Sequence, residues 1–298
     1  MSHARELRIY LTASVLQTAR AGKLRFLNRL RDLLEAQGWQ TEILPSTPEA
    51  RSRAPNLPGY ALYHREKPTH PAAMTFRLAY HYPFWRLETQ AERWRWPVAE
   101  AAFTLGDPAA AQDFASKLRS RVLPGPAPQN GSYALVPLQG RLLQCRSFQT
   151  MSPIEMVETV ARTGRPTIAT LHPNERYGDA ARKSLAMLAA RYPNLIIGKD
   201  TAKLLRNCAF VATQNSAVAF DGYLLQKPAI LFAQSDFHHI ALNVAQVGAD
   251  QALALAQDHR PDFDGYLDWF LRGTSIDMMA GDANDRLLRA MRAGGWPV

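Results

Sequence analysis

The stretch 207–240, NCAFVATQNSAVAFDGYLLQKPAILFAQSDFHHI, constrains the fold more than any other part of the chain. Residues 209–213 form a short apolar run with the length and composition of a fully buried strand. Gln214, Asn215 and Ser216 interrupt it with two residues that cap helices well. Residues 217–225 then read as an apolar helix, Lys227-Pro228 ends it, and 229–232 is a second buried strand. A strand that runs through Asn-Ser into a helix leaves free backbone N–H groups at the carboxyl edge of a parallel sheet. An anion such as a nucleotide phosphate binds at such a place. An ordinary helix cap has the same pattern, so the rest of the chain has to decide between them.

The α/β rhythm runs through the whole chain. Residues 8–13 read as a strand, 22–38 as a helix with Leu27, Leu30 and Leu34 at helical spacing, and 39–44 as a second strand. This opening βαβ unit has no G-x-G-x-x-G, so a standard dinucleotide fingerprint is absent. Residues 45–58 read as a Pro/Ser/Arg-rich loop and 60–64 as a third strand. The segment 75–103 then interleaves Phe76, Tyr80, Tyr82, Phe84, Trp85, Trp94 and Trp96 with Arg77, Arg86, Arg93 and Arg95. Such a segment either grips sugars or bases by stacking, or buries its aromatics and lets the arginines snorkel. A helix is expected over 109–121, followed by the Pro/Gly-rich stretch 123–131, LPGPAPQNG.

Beyond that stretch the alternation restarts. Strands are expected at 133–138, 167–171 and 195–197, with helices at 152–162, 179–191 and 201–206, and terminal helices at 266–272 and 284–293. Ser152-Pro153 with Glu155 is a capping-box start. The organisation predicted is α/β, with two Rossmann-like doubly wound domains facing a cleft: an N-terminal domain over 1–125 and a C-terminal domain over 131–298.

Composition narrows the function classes. Apolar content of 47% and charged content of 20% are those of a globular chain, and no segment has the run of about 18 apolar residues that a membrane span needs. The start, MSHARELRIYL, has no apolar signal core, and Cys145 and Cys208 make neither a disulfide framework nor a zinc site. A cytoplasmic protein is expected. The formal charge of +9 suits an anionic partner, and peripheral contact with an anionic inner membrane face is expected to be weakened by salt. No recognition module for nucleic acid is visible, and no nucleic-acid partner is expected.

Three polar loops follow strands of the second half: Gln139-Gly140-Arg141, His172-Pro173-Asn174-Glu175, and Gln214-Asn215-Ser216. In an open parallel sheet they can converge on one crevice, where His172 offers a donor to a phosphate or carboxylate. His238 and His239 with Asp236 lack a third ligand at a recognisable interval, so no metal is expected. Ser216 has no G-x-S-x-G elbow around it. Asp221 lies about 140° around an ideal helix from Ser216, and a carboxylate in that apolar run needs a partner.

The order Gln139, His172-Pro173, Asn215-Ser216 with Asp221, and Lys227-Pro228-Ala229-Ile230 resembles bacterial capsule polysaccharide biosynthesis proteins, the Kdo transferases that start or extend a lipid-linked glycan. The resemblance covers about residues 133–240, with a weaker echo over 266–296. It implies a glycosyltransferase of GT-B architecture with the donor nucleotide, expected to be CMP-linked, in the second domain. His172, Pro173, Asn215 and Ser216 would hold the phosphate. Gln139, Arg141, Asp221 and Arg77 would face sugar or acceptor, the latter a glycan or glycolipid met on the first-domain side. No cofactor beyond the nucleotide-sugar is implied. The chain departs from the family in two places: it has no acidic residue shortly after Gln139, and it has Asp221 where the family has Glu. No catalytic base is therefore assigned. A non-catalytic GT-B-like subunit that binds glycan or nucleotide within a polysaccharide synthesis complex is the alternative implied.

Overall fold

The computed structural model describes residues 5–298, which form two compact units: residues up to Glu100 with Phe270–Val298, and Ala101–Trp269. In chain order the strands are β1 (Glu6–Leu11), β2 (Gln40–Pro45), β3 (Tyr60–His64), β4 (Ala73–Leu78), β5 (Phe84–Glu88), β6 (Ala134–Pro137), β7 (Thr167–Thr170), β8 (Leu195–Gly198), β9 (Phe210–Thr213), β10 (Ala229–Leu231), β11 (Leu242–Asn243) and β12 (Ile276–Asp277). They make two separate six-stranded sheets.

The first unit holds the sheet β12-β5-β4-β3-β1-β2, in which β1 to β4 run parallel and β5 lies antiparallel between β4 and β12. The helix Arg25–Glu35 buries Phe26, Leu27, Leu30 and Leu34 on the sheet, as the leucine spacing predicts. Phe26 stacks on Phe76 and Trp85 at 5.0 and 4.7 Å between ring centroids. The last helix, Ala283–Ala293, returns to this core through Leu287 and Met291, and Trp296 stacks near Trp39.

Three parts of the first half settle or depart from expectation. The segment 75–103 carries the strands β4 and β5 with Phe76, Phe84, Trp85 and Trp96 buried, so the core reading holds for these rings, while Arg86 is buried rather than snorkelling and Tyr82 is exposed. Burial of large rings outweighs any exposed stacking role, since each removes on the order of 150–250 Å² from water. The expected loop 45–58 contains the helix Pro48–Arg53, with Thr47 accepting the Ala50 N–H and Pro48 at its first turn. The sequence also gave no sign of the helix Ala13–Arg20 that follows β1.

In the second unit the sheet β11-β10-β9-β6-β7-β8 is parallel throughout. That is the strand order of a doubly wound dinucleotide-binding sheet. Its strands are near-continuous apolar runs because helices cover both faces. The helix Pro153–Ala161 starts with the expected capping box, Ser152 with Glu155. The expected terminal helix over 266–272 is instead Phe263–Asp268 followed by a wide turn over Trp269–Gly273. The helix Pro108–Val122 and the Pro/Gly stretch both fall in this unit. Arg119 bonds Asp264 at 3.2 Å, Arg206 donates to the carbonyls of Leu123 and Pro124, and buried Lys227 donates to Gln129 O at 2.6 Å. These bonds fasten the stretch to the second unit, whose limits lie at Glu100/Ala101 and Trp269/Phe270.

Candidate functional site at the carboxyl edge of the second sheet

Strand order decides where the polar loops lie. From β6 the chain builds outward through β7 to β8, then crosses to β9 on the other side of β6. Connections therefore leave β6 and β9 in opposite directions and open a crevice at their carboxyl ends. The loops after β9, β6 and β7 rise from three neighbouring strands, each about 4.8 Å from the next. The three polar loops are thus brought to one edge.

In the loop after β7, the His172 N–H donates to the Tyr177 hydroxyl at 2.9 Å, and the ring Nδ1 accepts the Asn174 N–H at 3.2 Å. Accepting at Nδ1 puts the proton of a neutral imidazole on Nε2, which makes the exposed ring a donor for an anion. Pro173 stiffens the turn, and Glu175 N–H closes it on His172 O at 3.2 Å. Tyr177 is buried beneath, and burial raises its phenol pKa.

In the loop after β9, Asn215 and Ser216 are both buried. The Asn215 amide donates to Gln234 O at 2.9 Å and ties this loop to the one after β10. The Ser216 hydroxyl accepts the Val218 N–H at 3.3 Å and caps the helix Ala217–Leu224. Gln214 donates to Met151 O at 3.0 Å, while its carbonyl oxygen is buried with no partner among the described residues. Asp221 is half-buried on that helix.

In the loop after β6, the Gln139 carbonyl oxygen is likewise buried with no partner among the described residues. Gly140 is buried, and exposed Arg141 sits in the left-handed region at φ 60°. A methyl group added at Gly140 would collide with the Glu175 carboxylate, whose Cδ would lie 2.9 Å away. The Glu175 carboxylate would have to swing aside, so the loops after β6 and β7 touch at this point. Arg146, at the far end of the β6 loop, completes the charge pattern. Burial lowers its guanidinium pKa, Arg141 lowers it further, and the Glu175 carboxylate raises it. Two arginines and one glutamate thus share an electrostatic neighbourhood beside His172.

The sequence analysis named Gly140 and Glu175 only as parts of their loops and passed over Arg146. The signal was the glycine directly before a loop residue, which marks close backbone approach. Arg77 belongs to the first unit, half-buried on β4 with its guanidinium 5.9 Å from the Trp96 ring centre. His238 and His239 stack on each other at 4.4 Å, with their Nδ1 atoms at Ser235 O and the Tyr266 hydroxyl. Among the described residues no group of three His, Cys, Asp or Glu is placed to hold a metal ion, and no helix is long and apolar enough to cross a membrane.

No family model and no curated protein matches the chain. Among solved structures, the beta Kdo 2,7 transferase KpsC of Thermosulfurimonas dismutans is similar over 97% of this chain and 99% of that one, at 10% identity and a TM-score of 0.56. MnaA of S. aureus, in a UDP co-structure, matches over 96% of each chain at 11% identity and a TM-score of 0.39. A UDP-forming α,α-trehalose-phosphate synthase of Burkholderia vietnamiensis matches over 87% of this chain and 71% of that one, at 13% identity and a TM-score of 0.41. The last two are too distant to carry an argument. The first establishes the fold, two Rossmann-like domains of GT-B type, and matches the resemblance drawn from residues 133–240.

Proposed function

We propose that the protein is a glycosyltransferase of capsule or surface-polysaccharide synthesis that uses a nucleotide-activated sugar donor, a CMP-linked, Kdo-like sugar. The observation that carries this reading is the meeting of three polar loops at the switch point of a parallel sheet. The donor phosphate sits between the His172 Nε2–H and the N-terminus of the helix Ala217–Leu224, where main-chain N–H groups and the helix dipole favour negative charge. Pro173 holds the His172 turn, while Asn215 and Ser216 fix the helix start. Arg141 and Arg146 supply positive charge, and the Gln139 carbonyl accepts from a sugar hydroxyl. An acceptor hydroxyl attacks the anomeric carbon as its bond to the phosphate oxygen breaks, and the nucleotide leaves with that electron pair. Asp221, and Arg77 on the first unit, belong to the sugar and acceptor side. The acceptor is a glycan or glycolipid, met at an anionic membrane face or delivered by a partner of the synthesis machinery.

Calorimetric titration of CMP, followed by release of CMP from CMP-Kdo, tests this. Binding in the micromolar range with release above the spontaneous rate is expected. Absence of CMP binding would leave the fold without this function. A second reading, a non-catalytic nucleotide- or glycan-binding subunit, is favoured by one feature: residues 139–149 contain no aspartate or glutamate. CMP binding without any release of CMP from CMP-Kdo identifies that case.

A further inference from the structure

The geometry points to Glu175 as the group that takes the acceptor's proton, a role that rests on the glycosyltransferase reading above. Sugar transfer needs a base near the attacking hydroxyl, and the loop after β6 brings none of its own. The fold instead brings a carboxylate to that loop from its neighbour. Glu175 lies three residues past His172, on a turn closed by its own N–H, and its carboxylate packs on Gly140, where any side chain would displace it. A carboxylate and an imidazole donor therefore stand on one tight turn, with the carboxylate facing the loop after β6.

The arginines make this arrangement workable. A carboxylate next to a phosphate is repelled, and Arg146 lies within electrostatic reach of both Arg141 and Glu175. With the donor in place, its phosphate draws on Arg141 and Arg146. The carboxylate accepts a hydrogen bond from the acceptor. In the step itself, the acceptor O–H bond breaks and its proton passes to a Glu175 oxygen. The acceptor oxygen forms its bond to the anomeric carbon, and the bond from that carbon to the phosphate oxygen breaks with its electrons on CMP. Water takes the acceptor's place when the donor is hydrolysed.

The test uses the full chain, CMP for binding and CMP-Kdo for turnover. Glu175→Gln is nearly isosteric and should keep the melting temperature and bind CMP as well as wild type or better, while CMP release falls roughly a hundredfold to ten-thousandfold. Glu175→Asp should recover part of the rate. Formate added to Glu175→Ala should restore release in proportion to its concentration, a response that a merely structural role would not give. Wild-type turnover with Glu175→Gln within about threefold of it would overturn the assignment and leave the function standing. CMP binding by wild type with no release would overturn it in favour of the binding subunit. No CMP binding at all would overturn the function and this role together.

Discussion

The carboxyl edges of the two sheets are built from similar residue types and finished in opposite ways. At the first edge the polar groups answer one another. The Ser46 hydroxyl bonds Glu66, Arg51 pairs with Glu66 at 3.0 Å and donates to Lys67 O at 2.9 Å, and its guanidinium lies over the Tyr63 ring. The Tyr63 hydroxyl continues through Thr69 to His70 at 2.8 and 2.9 Å. At the second edge His172, Arg141 and Glu175 are exposed, and the Gln139 and Gln214 carbonyl oxygens are buried without partners among the described residues. A buried acceptor without a donor costs about 1–3 kcal/mol unless water or a ligand hydroxyl supplies one. The first edge satisfies most of its polar groups with its own side chains, the His64 Nδ1 at the end of β3 being an exception, whereas the second edge also presents exposed His172, Arg141 and Glu175 to a ligand.

The sharpest break between the two comes from Arg86→Met in the first unit. Arg86 is buried, donates to Thr274 O at 2.9 Å and to the Thr274 hydroxyl at 2.8 Å, and stacks over Phe270. Its loss strips donors from buried acceptors, and a cost of about 3–5 kcal/mol is expected in urea unfolding. CMP affinity should hold within about twofold below the transition. A drop in affinity without a drop in stability would reverse the roles assigned to the two regions.

Next in size is His172→Ala, which should do the opposite. It removes a hydrogen bond to a charged group, worth about 1.5–3 kcal/mol, so the CMP dissociation constant should rise roughly tenfold to a hundredfold. The melting temperature should stay within about a degree or two, because the ring is exposed. Calorimetry beside melting curves measures both, and an unchanged CMP affinity would remove His172 from the site.

These contrasts show how much was legible beforehand. In the second half, β7, β9, the helix Asp179–Arg191 and the helix Ala217–Leu224 follow directly from apolar runs cut by caps and prolines. Parallel strands buried on both faces leave such a trace because helices cover both sides. β4 and β5 were not legible, because their rings and arginines alternate in a way that also suits a binding segment, and only the pairing of Arg77 with Arg86 across the strands reveals them. Loop composition pointed to His172 and Ser216. The contact of Glu175 with Gly140 joins residues 35 positions apart, and no local pattern encodes it.

A pH experiment sharpens the comparison further. Burial, then Arg65 and Arg77, push the His64 imidazole down to about 4. The unfolded chain binds this proton near pH 6.5, so the stabilising contribution is complete above that pH and is lost as pH falls toward 4. One proton gives at most about 1.4 kcal/mol per pH unit in that window, and partial exposure reduces it. Urea unfolding between pH 7.5 and 4.5 should show this slope, and His64→Gln should flatten it. An equal slope in the variant would place the titrating group elsewhere.

The smallest expected effect tests how the second edge binds its anion. Ser216→Ala removes a cap that accepts the Val218 N–H at 3.3 Å, a long bond, so the stability cost should sit near 1 kcal/mol, within the range for lost caps. If main-chain N–H groups at the start of the helix Ala217–Leu224 hold the phosphate, CMP affinity should fall by less than about threefold, since those groups remain. Bound phosphate would then take over part of the capping, and saturating CMP should shrink the stability gap between wild type and variant. Melting curves with and without CMP read this directly. A gap that persists unchanged at saturation would mean that the phosphate does not touch this helix, and His172 with the two arginines would have to hold it alone.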